Sequence, residues 1–161
     1  MLGFLACGGL ARAEIVDRVA IAIGHDAITE SQIDEEVRVT AMLNHAPLQF
    51  DAATRRRAAQ RLVNQYLIGR ETESSRFPGA DAKDVAAYLA KVEEDFGGAA
   101  GFERALAAYE LTRGVLERHL ALQLRTLAFA RFRFPSDEAL NIWLAEARRR
   151  FEVRYLGKDL Q

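Results

Sequence analysis

The sequence predicts a mainly helical domain closed by a small β-sheet that pairs its N- and C-terminal strands. Three observations lead there. Val19, Ile21 and Ile23 alternate with Arg18, Ala20 and Ala22 ahead of a Gly24-His25-Asp26 turn cluster, the period of two that gives a strand one large apolar face. Downstream, apolar residues recur at helical spacing in segments separated by capping residues and by Pro or Gly. Phe151-Glu-Val-Arg-Tyr-Leu156 then alternates once more. An isolated strand is not stable, and the only strand-like segment of comparable length lies at the N-terminus, so the two ends are expected to pair.

The elements follow in order. After the turn, Ala27-Ile28 is long enough only for a brief return strand. Thr29-Glu-Ser-Gln32 is a capping box, in which the Thr hydroxyl takes a first-turn N–H and the Gln amide reaches back to the cap. Ile33, Val37 and Ala41 continue a helix that stops near Asn44, ahead of Pro47. Asp51 caps the next helix. Its stripe is Ala59, Leu62, Val63, Tyr66 and Leu67, and Arg55, Arg56, Gln60, Arg61 and Gln65 are expected to face outward. Ser74 to Asp81 is a loop marked by Pro78-Gly79. Asp81 opens a third helix carrying Val85, Tyr88, Leu89, Val92 and Phe96, ended by Gly97-Gly98. Phe102 to Tyr109 is a short helix. Thr112 caps the longest one, running towards Arg131, with Leu116, Leu120, Leu124 and Leu127 on one face and Val115, Leu122 and Phe129 on another. Two apolar faces suit a helix sandwiched between neighbours, so this is the expected central element. Pro135-Ser-Asp-Glu138 starts the last helix, with Leu140, Trp143, Leu144 and Ala147 inward.

Composition fits a single globular domain: 161 residues, half apolar and just over a quarter charged, enough to bury a core. The formal net charge of -1 creates no global field that would favour nucleic acid or a membrane surface. Leu2 to Leu10 is a short apolar run, and Ala11-Arg-Ala13 puts small residues at -3 and -1 before Glu14, the pattern of a secretory signal. No Lys or Arg precedes the run, the one missing part of that pattern. The run is too short to span a bilayer, so stable membrane insertion is not expected. The expected division is therefore a signal over residues 1–13 and a mature domain over 14–161, with cleavage marked by Ala11, Ala13 and Glu14. Cys7, the single cysteine, permits a lipoprotein reading, although Phe4-Leu-Ala6 fits the lipidation box poorly. Cleavage after Ala13 removes it, leaving no disulfide, thiol chemistry or thiolate metal site. Loss of Arg12 also takes the charge from -1 to -2.

Val16-Asp-Arg-Val-Ala-Ile-Ala-Ile-Gly-His-Asp-Ala-Ile-Thr-Glu-Ser-Gln-Ile-Asp34 resembles the opening of the SurA N-terminal domain and related periplasmic parvulin-type peptidyl-prolyl isomerases. Gly24 stands where that family has Asn, and Gln32 where it has Glu. Ala59 to Ile68 is similar to the family's second helix of leucine pairs. Phe102-Glu-Arg-Ala-Leu-Ala-Ala-Tyr-Glu-Leu-Thr112 resembles the segment before its long helix, with Glu110 in place of Gly, and Trp143 to Val153 resembles its closing helix and strand. The likeness covers most of residues 15–156. It implies a SurA N-terminal-like multi-helix fold, a periplasmic location, and binding of unfolded outer-membrane or other exported polypeptides. Full-length members carry parvulin domains after this region. No segment here reads as one, so the resemblance implies the chaperone part without the isomerase part and without a cofactor.

Candidate chemistry is sparse. His25, His45 and His119 are far apart and form no paired metal-ligand motif; His25 reads as a turn residue and His119 as a partly buried helix residue. Asp34-Glu-Glu36 and Glu93-Glu-Asp95 read as solvated helix faces, since acid–base work needs a cleft that separates their pKa values. Arg55-Arg-Arg57 and Arg148-Arg-Arg150 lie near helix ends, the second at the negative end of its helix, and no nucleic-acid reading element accompanies them. Nucleophile-elbow, phosphate-loop and dinucleotide motifs are missing. Phe129, Phe132 and Phe134 alternate with Arg131 and Arg133. An extended chain after residue 131 would point Phe132 and Phe134 the same way, as an apolar surface for unfolded clients. The alternative, that the rings complete the core between the last two helices, is the preferred expectation. Three functions remain open: a non-catalytic periplasmic chaperone-like domain, a truncated or split parvulin-type isomerase, and a structural domain that homodimerises through its long helix.

Overall fold

The computed structural model describes residues 17–161, among which lie six helices and three strands. The chain is mainly helical with a small antiparallel sheet. β1 (Val19–Ile23) turns through Gly24-His25 into β2 (Asp26–Thr29). Gly24 takes a φ of 57° and His25 does not join it at positive φ, which suits a two-residue hairpin loop with glycine first. β3 (Val153–Tyr155) adds to the other side of β1, giving the order β2-β1-β3 with Ile21 opposite Tyr155 and Ile23 opposite Val153. The two ends of the domain therefore pair as the alternation predicts. The strand is shorter than Phe151–Leu156 because Phe151 caps the last helix and Glu152 adopts a left-handed φ of 49°.

α1 (Glu30–Leu43) starts at the complete capping box: the Thr29 side chain accepts from the Gln32 N–H, and Gln32 Oε1 accepts from the Thr29 N–H at 2.8 Å. Asp17 adds a second anchor by accepting from the Ser31 hydroxyl. Replacing Thr29 with Ala is expected to cost about 1 kcal/mol, measurable as a lower urea midpoint at unchanged m-value. α2 (Ala52–Ser74), α3 (Ala82–Asp95) and α4 (Ala99–Ala108) follow. Gly97 and Gly98 have φ of 80° and 87°, so a reversal that L side chains resist ends α3 and begins α4. α4 starts before Phe102, and α5 (Arg113–Arg133) runs two residues past Arg131 before α6 (Asp137–Arg150).

Two apolar cores result. The first joins the sheet, the first half of α1, α2, α6, Phe129 and Leu160; the second joins Val39 and Met42 of α1 with α3, α4, Leu116 and Leu120. α1 and α5 run through both, and α5 packs against α2 on one side and α3 on the other. The central position expected for α5 holds, but at 21 residues it is not the longest helix, since α2 has 23, and Leu122 and Leu127 of its apolar faces are exposed. Leu127 shares the face of Leu116 but is 44 % exposed, because α3 spans only about 21 Å beside the roughly 31 Å of α5 and does not reach it.

Candidate functional site

The flanks of α5 carry three grooves. The largest, about 700 Å³, lies between α3 and the first half of α5; Ala82, Val85, Ala86, Leu89 and Ala90 form one wall, and Arg113, Glu117, Arg118 and Ala121 the other. Ala82, Ala86 and Ala90 recur every four residues, so they share one face of α3. A second groove of about 190 Å³ lies between α1, α2 and α5 and includes Gln32, Leu62, Gln65, Arg118, His119 and Leu122. A third, about 280 Å³, follows β2 and α2: Ala27 and Ile28 on one side, Leu62, Tyr66 and Gly69 on the other, with Leu122 over it. Arg118 borders the first two, while Gln32, Leu62, Gln65 and Leu122 border the last two. Leu122 is 37 % exposed, an apolar side chain left open where two grooves meet. The Tyr66 hydroxyl donates to Asp26, and burial together with that carboxylate pushes its pKa up to about 12.

Beneath the middle groove, between the two cores, lies a buried charge cluster. The Glu36 side chain is 2 % exposed; Oε1 accepts from Arg61 Nε at 2.6 Å and from Thr40 Oγ1 at 3.2 Å, and Oε2 faces His119 Nδ1 at 3.4 Å. Arg61 also donates to Thr40 Oγ1 at 3.0 Å. Burial holds the His119 pKa below the usual histidine value, opposed by Glu36 and helped by Arg61. His119 is thus the partly buried helix residue expected, but Glu36 is not on a solvated face. The outward arginines need the same correction. Arg55, 14 % exposed, bridges Asp34 and Asp159; Arg56 donates to the Asp159 and Gln161 carbonyls, and Arg61 reaches Glu36. Long guanidinium stems lie along α2 and carry their charges to α1 and the C-terminal turn.

The phenylalanines separate. Phe129 is 2 % exposed and belongs to the first core, stacked edge-on with Phe77 at 5.2 Å. Phe134 is half-buried against Phe129 and Trp143. Phe132 is 76 % exposed and touches Phe77. Since α5 continues to Arg133, no extended stretch aligns Phe132 with Phe134. Phe129→Ser should therefore cost about 4 kcal/mol, as large-to-small changes in cores do, whereas Phe132→Ser should leave the thermal midpoint nearly unchanged; circular-dichroism melts of the two variants distinguish them.

The other sequence candidates stay apart. His25 is exposed in the hairpin turn, and His45 stacks on Phe96 at 4.5 Å. Glu94 and Asp95 are exposed, while Glu93 is half-buried and paired with Arg113 at 3.1 Å. Arg148 donates to Asn64, and Arg150 lies over the Phe151 ring. Among the described residues no group of three or more His, Cys, Asp or Glu gathers to hold a metal ion, and no helix is long and apolar enough to cross a membrane. Cys7 and the cleavage residues Ala11, Ala13 and Glu14 lie outside the described residues.

Sequence reasoning missed the groove walls. The alanine repeat at 82, 86 and 90 was visible as a spacing, but alanine carries little periodicity signal beside the larger Val85 and Leu89. Gln32 read as a helix-capping residue and Gln65 as an outward one, yet both border two grooves. No protein-family model matches the chain, and no curated protein matches it.

Proposed function

We propose that this chain is a periplasmic chaperone-like domain that holds unfolded exported or outer-membrane polypeptides on apolar surface and performs no catalysis on them. The observation that carries the reading is the series of three grooves around α5, apolar along much of the two outer ones and bridged by Leu62 and Leu122 through a more polar middle one. Such a series suits a long, irregular apolar ligand better than a compact metabolite, for which one enclosed pocket with converging polar groups is the usual solution. Contiguous apolar surface with an open side is also what marks a binding face. Binding would run on reversible apolar burial, roughly 25 cal/mol per Å² removed from water, offset by the cost of ordering the client. Export rests on the small-residue pattern Ala11-Arg-Ala13 before Glu14.

The test pairs aggregation suppression of an unfolded outer-membrane protein with an isomerase assay on a prolyl peptide. Suppression without isomerisation is the expected result. Isomerisation would instead favour the truncated or split isomerase, and absence of both activities would leave the structural, dimerising role.

A further inference from the structure

We infer that the groove along β2 takes its client as an added β-strand, anchored on the main-chain N–H and C=O of Ala27. This deepens the client-binding reading and rests on it. Among the described residues β2 has one sheet neighbour, β1, so its other side is an edge. The Glu30 N–H crosses to the Arg18 carbonyl at 2.8 Å. Alternation along a strand then turns the main-chain groups of Ile28 and Asp26 towards β1, and those of Thr29 and Ala27 outward. Thr29 is already used: its N–H goes to Gln32 Oε1 at 2.8 Å, and as the cap of α1 its carbonyl begins the helix ladder. Ala27 remains. It is exposed, and outside the hairpin no backbone group among the described residues takes its N–H or C=O.

The groove lies where this edge is. Ala27 and Ile28 point to opposite faces of the sheet, one exposed and one buried, yet both border it. A groove touched by two consecutive residues of a strand follows the strand's edge and not one face. Across it stand Leu62, Tyr66 and Leu122. A strand exchanging both hydrogen bonds with Ala27 would set alternate side chains into this apolar wall and the others towards water. The preferred occupant is therefore an extended segment alternating apolar and polar residues, the pattern of a strand with one buried face. The opposite edge is blunted: β3 has three residues with Arg154 at its centre, and the Gln161 side chain donates to the Tyr155 carbonyl at 3.4 Å. Charge and shortness are the devices that discourage edge pairing; β2 is one residue longer, and its single charge, Asp26, lies at the hairpin end, where it accepts from the Tyr66 hydroxyl.

The test is amide exchange on the full chain with and without a synthetic peptide of alternating leucine and serine, plus titration of the same peptide into Ala27→Pro. Proline removes the donor and is tolerated on edge strands. Expected are slowed exchange of the Ala27 amide on adding peptide and about tenfold weaker binding by the variant, equivalent to about one hydrogen bond, with its melting transition retained. Unchanged exchange at Ala27 while the peptide still binds would overturn strand addition and leave client binding standing. Protection that grows with protein concentration alone would assign the edge to a second copy and overturn the inference. If neither peptide nor unfolded outer-membrane protein binds, the client-binding reading fails with it.

Discussion

Deleting residues 152–161 should abolish cooperative unfolding. The deletion removes β3, the partner of Ile21, Ala22 and Ile23, together with Leu160, which is 6 % exposed in the first core. It also removes Asp159, to which Arg55 donates at 2.5 Å and whose carboxyl that guanidinium holds below the usual aspartate range. Each buried apolar side chain contributes about 1.5–3 kcal/mol. Losing that contribution in full at Leu160 and in part at the half-buried Val153 and Tyr155, along with three backbone pairings, takes a large share of the roughly 5–15 kcal/mol that stabilises an ordinary domain. A truncated chain that melts like the full one would show that the terminal strand contributes nothing to closing the fold.

Arg61→Ala should be the most damaging single change of a part-exposed side chain. It leaves Glu36 buried, with Thr40 as its one remaining hydrogen-bond donor among the described residues and His119 opposite. Breaking one side of a buried ion pair costs about 3 kcal/mol, or roughly 10 °C in the melting midpoint for a chain of this size. Glu36→Gln, which keeps acceptor and shape but removes the charge, should cost less. The same cluster sets a pH dependence. The folded pKa of His119 is lowered, chiefly by burial, so the unfolded chain protonates first as pH falls. Stability from the neutral ring is present above the ordinary histidine value of about 6.5 and is lost as pH falls through the lowered folded value. His119→Gln should flatten that segment of the plot of melting temperature against pH. Asp17, Asp51 and Asp159 also have lowered pKa values, but their losses come at more acidic pH, below the ordinary aspartate value, and so do not mask it.

What was legible in the sequence was local. The hairpin turn at Gly24, the capping box from Thr29 to Gln32 and the caps at Asp51, Asp81, Thr112 and Ser136 each satisfy backbone groups within a few residues, so spacing alone identifies them. Pairing of the two ends was also legible, because only one partner existed for the last strand. The charge cluster was not. Periodicity assigns every Glu and Arg to the solvent side, yet Glu36 meets Arg61 across α2 and His119 across α5, and no local spacing encodes a meeting of three helices. The misplacement of Leu127 has the same origin: its face was read correctly, but the length of the neighbouring α3 decides whether that face is covered. The grooves were legible least, since they are made by what small residues such as Ala82, Ala86 and Ala90 leave unfilled.

Site-specific photocrosslinking tests the client-binding surface most directly. Cys7 is the chain's only cysteine and falls within the expected signal, so a photoreactive label can be attached at a single engineered thiol in the mature domain. With Leu122→Cys, at the meeting of two grooves, the label should capture an unfolded outer-membrane polypeptide; with Glu146→Cys, on the exposed side of α6, it should not. Equal capture at both positions, or none at residue 122, would contradict a binding surface formed around α5.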